Sequence, residues 1–249
     1  MDARYASLKG RPVFISGGAS GIGEGLVRAF AEQGARVAFV DIAKAQGEQL
    51  AAELGGDVFF APCDVTDTAG YQATIQALAE KTGPFRVLLN NAAHDERHQL
   101  ETLTPEYFDA RVAVNFKHMF FAVQAVLPGM VAAGGGSVIN FGSTSWMLPS
   151  RNLPVYAALK AGVHGMSRAL AKDHGKQGVR FNTLLPGWTM TKRQLDLWVT
   201  PESEKEIDAN QLLPGRVMPV DIAAMALFLA SEDSRMITGQ EFIVDAGWV

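Results

Sequence analysis

Tyr156 and Lys160 stand four residues apart, Ser143 lies thirteen positions before the tyrosine, and Gly17, Gly21 and Gly23 form a Gly-x-x-x-Gly-x-Gly run near the start of the chain. Side chains at i and i+4 share one face of a helix. An ammonium beside a phenol favours the ionised phenol, so Lys160 is expected to lower the Tyr156 pKa and make it a usable general base. Hydride loss from an alcohol carbon needs such a base, because the hydroxyl proton must leave as the hydride does. Ser143 would hold the substrate oxygen and stabilise developing negative charge. Lys160 would also hydrogen-bond a nicotinamide ribose, and Asn115 could anchor a water that relays the proton to solvent. A Tyr-x-x-x-Lys pair alone is an ordinary amphipathic pair. Its coincidence with the serine and the glycine run points to hydride exchange with a nicotinamide.

A glycine-rich turn between a strand and a helix lets backbone approach a pyrophosphate, and the helix N-terminus offers unpaired N–H groups. Ser20 precedes that helix, and Ile22 would face the dinucleotide or pack beneath it. Asp41 ends the next apolar run, where a carboxylate can accept from ribose hydroxyls and repel a 2′-phosphate. Neither Ser20 nor Ile42 supplies a cation for that phosphate, so NAD is expected over NADP. The other reading of Asp41 is a helix cap. Asp64-Val65 and Asn90-Asn91-Ala92-Ala93 close two further runs and fall on the same sheet edge, although Asp and Asn at strand ends are commonly turn formers.

These residues must be positioned by elements that the apolar pattern supplies. Strands are expected at Pro12–Ser16, Arg36–Asp41, Asp57–Pro62, Phe85–Asn90, Gly136–Gly142, Val179–Leu185 and Gln240–Asp245. Helices are expected near Gly21–Gln33, Lys44–Leu54, Ala69–Lys81, Pro105–Val131, Val155–Gly175 and Val220–Ser231. Such alternation is the signature of an α/β protein with a doubly wound parallel sheet. Residues 189–215 break the rhythm as a long charged loop beyond the sixth strand, either a substrate lid or a surface insertion.

The 249 residues read as one domain, 48% hydrophobic and only 19% charged, as expected of a sheet covered on both faces. A net charge of −4 gives no footprint for nucleic acid or an anionic membrane. No stretch is long and apolar enough for a bilayer span or a leader peptide, so a cytoplasmic location is expected. The single cysteine, Cys63, reads as a buried, inert thiol.

Taken together, the glycine run, Asn115, Ser143 and Tyr156-Ala-Ala-Leu-Lys160 resemble the short-chain dehydrogenase/reductase family across the whole chain. The resemblance implies a single-domain Rossmann fold with seven parallel strands and a tetrad of Asn115, Ser143, Tyr156 and Lys160. It further implies that Asp64 and Val65 contact the adenine, that Pro186-Gly187 and Thr189 adjoin the nicotinamide, and that the protein is a homotetramer. Ser16 replaces the family's threonine, and Ala93 replaces the glycine of Asn-Asn-Ala-Gly.

For the substrate, His94, Asp95, Trp146, Arg151, Asn152 and Trp188 are expected to converge on the mouth. Carboxylates and amides can each engage two hydroxyls, and flat aromatic faces suit a sugar ring, so a small sugar or polyol is expected. Tryptophans also serve as core or interface residues. His94 and His98 lack a third metal ligand, so no metal is expected. Asp95-Glu96-Arg97-His98, Ser145-Trp146, Thr191-Lys192-Arg193-Gln194 and Asp245-Ala246-Gly247-Trp248 resemble the NAD-dependent aldose 1-dehydrogenases of this family, which oxidise the C1 hydroxyl of pentoses such as D-xylose or L-arabinose to the lactone. The alternatives are another polyol, a sugar acid, a 3-oxoacyl compound, or a dinucleotide-binding regulator without turnover.

Overall fold

Val13, Ile15, Val37, Phe39, Val87 and Leu89 turn to one side of a sheet, and Phe14, Ala38, Val40 and Leu88 to the other. That is the period-two alternation a strand imposes on its side chains. The computed structural model describes residues 3–249. Its seven strands are β1 (Pro12–Ser16), β2 (Arg36–Asp41), β3 (Val58–Pro62), β4 (Val87–Asn90), β5 (Gly136–Phe141), β6 (Val179–Pro186) and β7 (Glu241–Val244). They pair in parallel in the order β3-β2-β1-β4-β5-β6-β7.

The helices are α1 (Gly21–Glu32), α2 (Lys44–Leu54), α3 (Thr68–Thr82), α4 (Pro105–Val112), α5 (His118–Ala132), α6 (Pro154–His174), α7 (Lys192–Leu197), α8 (Pro201–Asn210) and α9 (Pro219–Ala230). One face of the sheet buries Leu26 and Phe30 of α1, Leu50 of α2 and Ile222, Ala226 and Leu227 of α9. The other buries Tyr71, Ile75 and Leu78 of α3 with Val123, Val126 and Met130 of α5. Val163 and Met166 of α6 pack on Met119 of α5. Gly25 lets α1 lie close to α9, since a Cβ there would sit 2.9 Å from Pro219 Cβ.

Two elements differ from the pattern expected of them. The helix expected over 105–131 is interrupted by a single π turn, Ala113–Lys117, between α4 and α5. Such turns bulge one residue out of the helical register, and here the bulge carries Asn115 to full burial. The segment 189–215 holds two short helices, α7 and α8, in place of an unstructured loop. Thr191 caps α7 through Gln194 N at 3.3 Å, and Thr200 and Ser203 form a capping box on α8. Strand order reverses between β1 and β4, which opens a crevice at the carboxyl ends of the strands.

Candidate active site

The glycine turn is forced by its surroundings. Gly17 and Gly21 have φ of 68° and 57°, a region L side chains rarely adopt. A Cβ on Gly23 would lie 1.7 Å from the Gly17 carbonyl oxygen. Asn91 fastens the turn to β4, donating from Nδ2 to the Ser16 and Gly17 carbonyls at 3.1 and 2.9 Å. The Ser16 hydroxyl accepts from Asn91 N and Ala92 N, both at 3.1 Å. Ser20, the N-cap of α1, makes no side-chain bond to the helix, so no side chain competes for the first-turn N–H groups. An anion with the shape of a pyrophosphate fits this cradle.

Asp41 is not the cap of α2, whose N-cap is Ala43 with no side-chain bond. Its oxygens accept from Ala19 N at 3.0 Å and Ala43 N at 2.9 Å, bracing the turn, and it lines the crevice. The crevice widens into a cleft of about 1170 Å³. Gly17, Ser20, Gly21, Ile22, Gly23, Asp41, Ile42, Asp64, Val65, Asn91, Ala92, Pro186, Gly187 and Thr189 all line it. Ala93 lines it too, and its φ is not positive, so the methyl that replaces glycine strains no backbone. Cys63 is half-buried on the same wall rather than enclosed in the core, and burial raises its thiol pKa.

Ser143, Tyr156 and Lys160 line the cleft together. Lys160 is 1% exposed and donates from Nζ to the Phe141 carbonyl at 2.8 Å, while its Nζ lies 5.6 Å from the centre of the Tyr156 ring. The expected lowering of the Tyr156 pKa is not found here. Burial and the Asp95 carboxylate push the phenol up, and the nearby Ser143 hydroxyl and Arg97 offset this only in part. Burial also brings Lys160 down to about 7, against a smaller opposing pull from Asp95. Lys160 is not among the groups that set the phenol, and its ammonium reaches the Phe141 carbonyl instead. Asn115 lies beneath the cleft. Its Oδ1 accepts from His94 N at 2.8 Å, and its Nδ2 donates to the His94 and Arg111 carbonyls at 3.2 and 3.1 Å.

At the mouth, His94, Asp95, Arg151 and Trp188 line the cleft as expected, but Trp146 and Asn152 do not. Trp146 ends a short 3₁₀ turn at 37% exposure, and Asn152, at φ 58°, lines a neighbouring crevice with His98. Sequence adjacency to Ser143 and Tyr156 suggested both, and the turn geometry carries each away. Asp95 accepts from Arg193 Nε at 3.0 Å and Gln194 Nε2 at 2.6 Å, which ties the loop after β4 to α7. Arg97 lies 4.9 Å over the Trp198 ring, adding a second tie. His94 is held below the ordinary imidazole range by burial and then by Arg111 and Arg193. Leu148, Glu206, Asn210 and Trp248 also line the cleft, and the reading of the sequence had not singled them out as site residues. The strand-end rule could have found Trp248, which follows β7 and lies 6.3 Å from Trp188 ring to ring. Among the described residues no cluster of His, Cys, Asp or Glu could hold a metal.

Residues 17–249 match the family profile described as enoyl-(acyl carrier protein) reductase. The chain is 47% identical to D-xylose 1-dehydrogenase of Caulobacter vibrioides over 99% of both chains. It is 41% identical to a probable galactose dehydrogenase of Rhizobium meliloti, over 99% of this chain and 98% of that one. A 7α-hydroxysteroid dehydrogenase solved with NADH and 7-oxo glycochenodeoxycholic acid superposes with a TM-score of 0.93 at 29% identity, covering 98% of this chain and 96% of that one. The fold, the cleft and this degree of identity to dehydrogenases place the chain in the short-chain dehydrogenase/reductase family, as an oxidoreductase acting on CH–OH donors.

Proposed function

We propose that the protein is an NAD-dependent aldose 1-dehydrogenase that oxidises a pentose such as D-xylose to its lactone. The observation that carries this is one cleft holding Ser143, Tyr156 and Lys160 beneath a mouth of carboxylates, amides and paired tryptophans. The identity to a D-xylose 1-dehydrogenase and a probable galactose dehydrogenase supports the same class of substrate.

The cradle of Gly17, Gly21 and Gly23 at the start of α1 would hold the pyrophosphate, and Asp41 would accept from the ribose hydroxyls and repel a 2′-phosphate. Asp64 and Val65 would flank the adenine, and Pro186, Gly187 and Thr189 the nicotinamide, all of them lining the cleft. When bound, oxidised nicotinamide supplies a positively charged hydride acceptor. The Ser143 hydroxyl holds the substrate oxygen. Tyr156 takes the anomeric hydroxyl proton as the C1–H bond breaks and its electron pair leaves with the hydride, so C1 becomes the lactone carbonyl. Lys160 and Asn115 hold the path by which that proton reaches solvent.

The test is nicotinamide reduction with a panel of aldoses and polyols, run with NAD and NADP in parallel. Turnover of a pentose with NAD, weak with NADP, is expected. Replacement Tyr156→Phe is expected to cut kcat by at least about a thousandfold while NAD binding persists. Full activity in that variant would remove Tyr156 from the chemistry. Turnover of acyl thioesters in place of sugars would favour the reading that the family profile's description carries.

A further inference from the structure

Helix α6 carries Tyr156 and Lys160, yet its own sequence leaves its first turn open. The N-cap is Leu153, whose side chain cannot accept a hydrogen bond, and Pro154 at the first helical position has no N–H to satisfy. The first free donor is therefore Val155 N, the residue immediately before Tyr156. It is met from a distant loop: His98 Nε2 lies 3.2 Å from Val155 N. An amide N–H can only donate, so Nε2 is the acceptor and the ring proton sits on Nδ1. That proton faces the Glu96 carbonyl at 3.1 Å and the Tyr107 hydroxyl oxygen at 3.2 Å. The His98 backbone N–H donates to the Asn152 carbonyl at 2.8 Å, fixing the loop before α6 as well.

We propose that neutral His98 is the cap of α6 and a positioning residue for Tyr156. The loop after β4, which includes the mouth residues His94 and Asp95, is thereby joined to the helix that bears the base. Loop and base then share one geometry, and a sub-ångström drift of the first turn of α6 would carry the phenol out of line with Ser143. Misplacement on that scale is costly to a reaction that depends on alignment. The inference rests on the reading of Tyr156 as the base under the proposed function, and its test separates the two.

His98→Gln places an amide oxygen where Nε2 was, and His98→Leu fills similar space without an acceptor. Amide hydrogen exchange over residues 153–158 reads the cap without any substrate. Exchange at Val155 is expected to rise about fivefold or more in His98→Leu and to stay near the parent rate in His98→Gln. In steady-state kinetics, His98→Leu is expected to lose about ten- to a hundredfold in kcat, with KM for sugar and affinity for NAD within about twofold, and His98→Gln to recover most of it. Unchanged protection in His98→Leu overturns the cap. Lost protection with undiminished kcat, or a glutamine variant no better than leucine, overturns the positioning role. If the parent oxidises no sugar, the sugar reading fails, the exchange measurement still decides the cap, and the kinetic comparison moves to whichever alcohol the parent does oxidise.

Discussion

Two of the buried side chains, Tyr156 and His118, carry testable pH dependence. Tyr156 is pushed above the ordinary phenol range by burial first and by the Asp95 carboxylate second. Oxidation needs the ionised phenol, so kcat is expected to climb as pH rises on the alkaline side. Asp95→Asn removes the one charged group that holds the phenol up, so the limb should move to lower pH. A kcat–pH profile checks this, and a limb that stays in place or moves up would count against it. His118 is the second group. It is 1% exposed beneath the cleft, with Nε2 at 3.1 Å from the Ala92 carbonyl, and burial aided by Lys160 brings it down to about 3 from 6.5. Between those values the unfolded chain binds a proton that the folded chain refuses, so stability falls as pH drops from 6.5 toward 3. One such group adds a slope of up to about 1.4 kcal/mol per pH unit. Replacement His118→Gln, which can still donate to Ala92, should flatten the slope in denaturant titrations at several pH values. An unchanged slope would show that other groups set it.

At the scale of elements, legibility followed locality. The strands could be read because Val13-Phe14-Ile15 and Val37-Ala38-Phe39-Val40 are apolar on both faces, which only a doubly covered sheet permits. The cradle could be read because the demand on Gly17 and Gly23 is local and steric. That demand is testable: Gly23→Ala should cost about 1–3 kcal/mol in denaturant unfolding and weaken NAD binding together, since its methyl would meet the Gly17 carbonyl. An alanine variant of parental stability and affinity would mean that the turn can yield. Both short helices carried local start signals that were there to be read, Thr191 with Gln194 for α7 and Thr200 with Ser203 for α8, whereas the tie from α7 to Asp95 spans nearly a hundred residues and was not. The π turn at Asn115 has no proline or glycine to announce it. The Tyr156 pKa was misjudged for a related reason: an i,i+4 lysine is visible in sequence, but desolvation of both partners is a property of the assembled cleft.

At the scale of the whole molecule, several large apolar side chains stand exposed among the described residues, and two groups of them lie on separate elements. Phe108 of α4 and Phe120 of α5 are 44% and 43% exposed, and Phe116 meets Phe120 edge-on at 5.3 Å. Elsewhere, Met218 and Val220, at the start of α9, are 42% and 48% exposed, and Ile243 of the four-residue edge strand β7 is 39% exposed on the opposite face of the sheet from α9. The homotetramer that the family resemblance implies, if built on two-fold axes, would bury two distinct faces of each chain. An isolated parallel edge strand is also a hazard that assembly removes. Light scattering after size exclusion is therefore expected to give four times the chain mass of 26.8 kDa. Phe120→Glu, which puts a charge into one region and leaves the other intact, should reduce the particle to a dimer with its melting temperature lowered. A parent of monomer mass would leave both regions to some other partner, and a tetramer unaffected by Phe120→Glu would remove the α4–α5 face from the assembly.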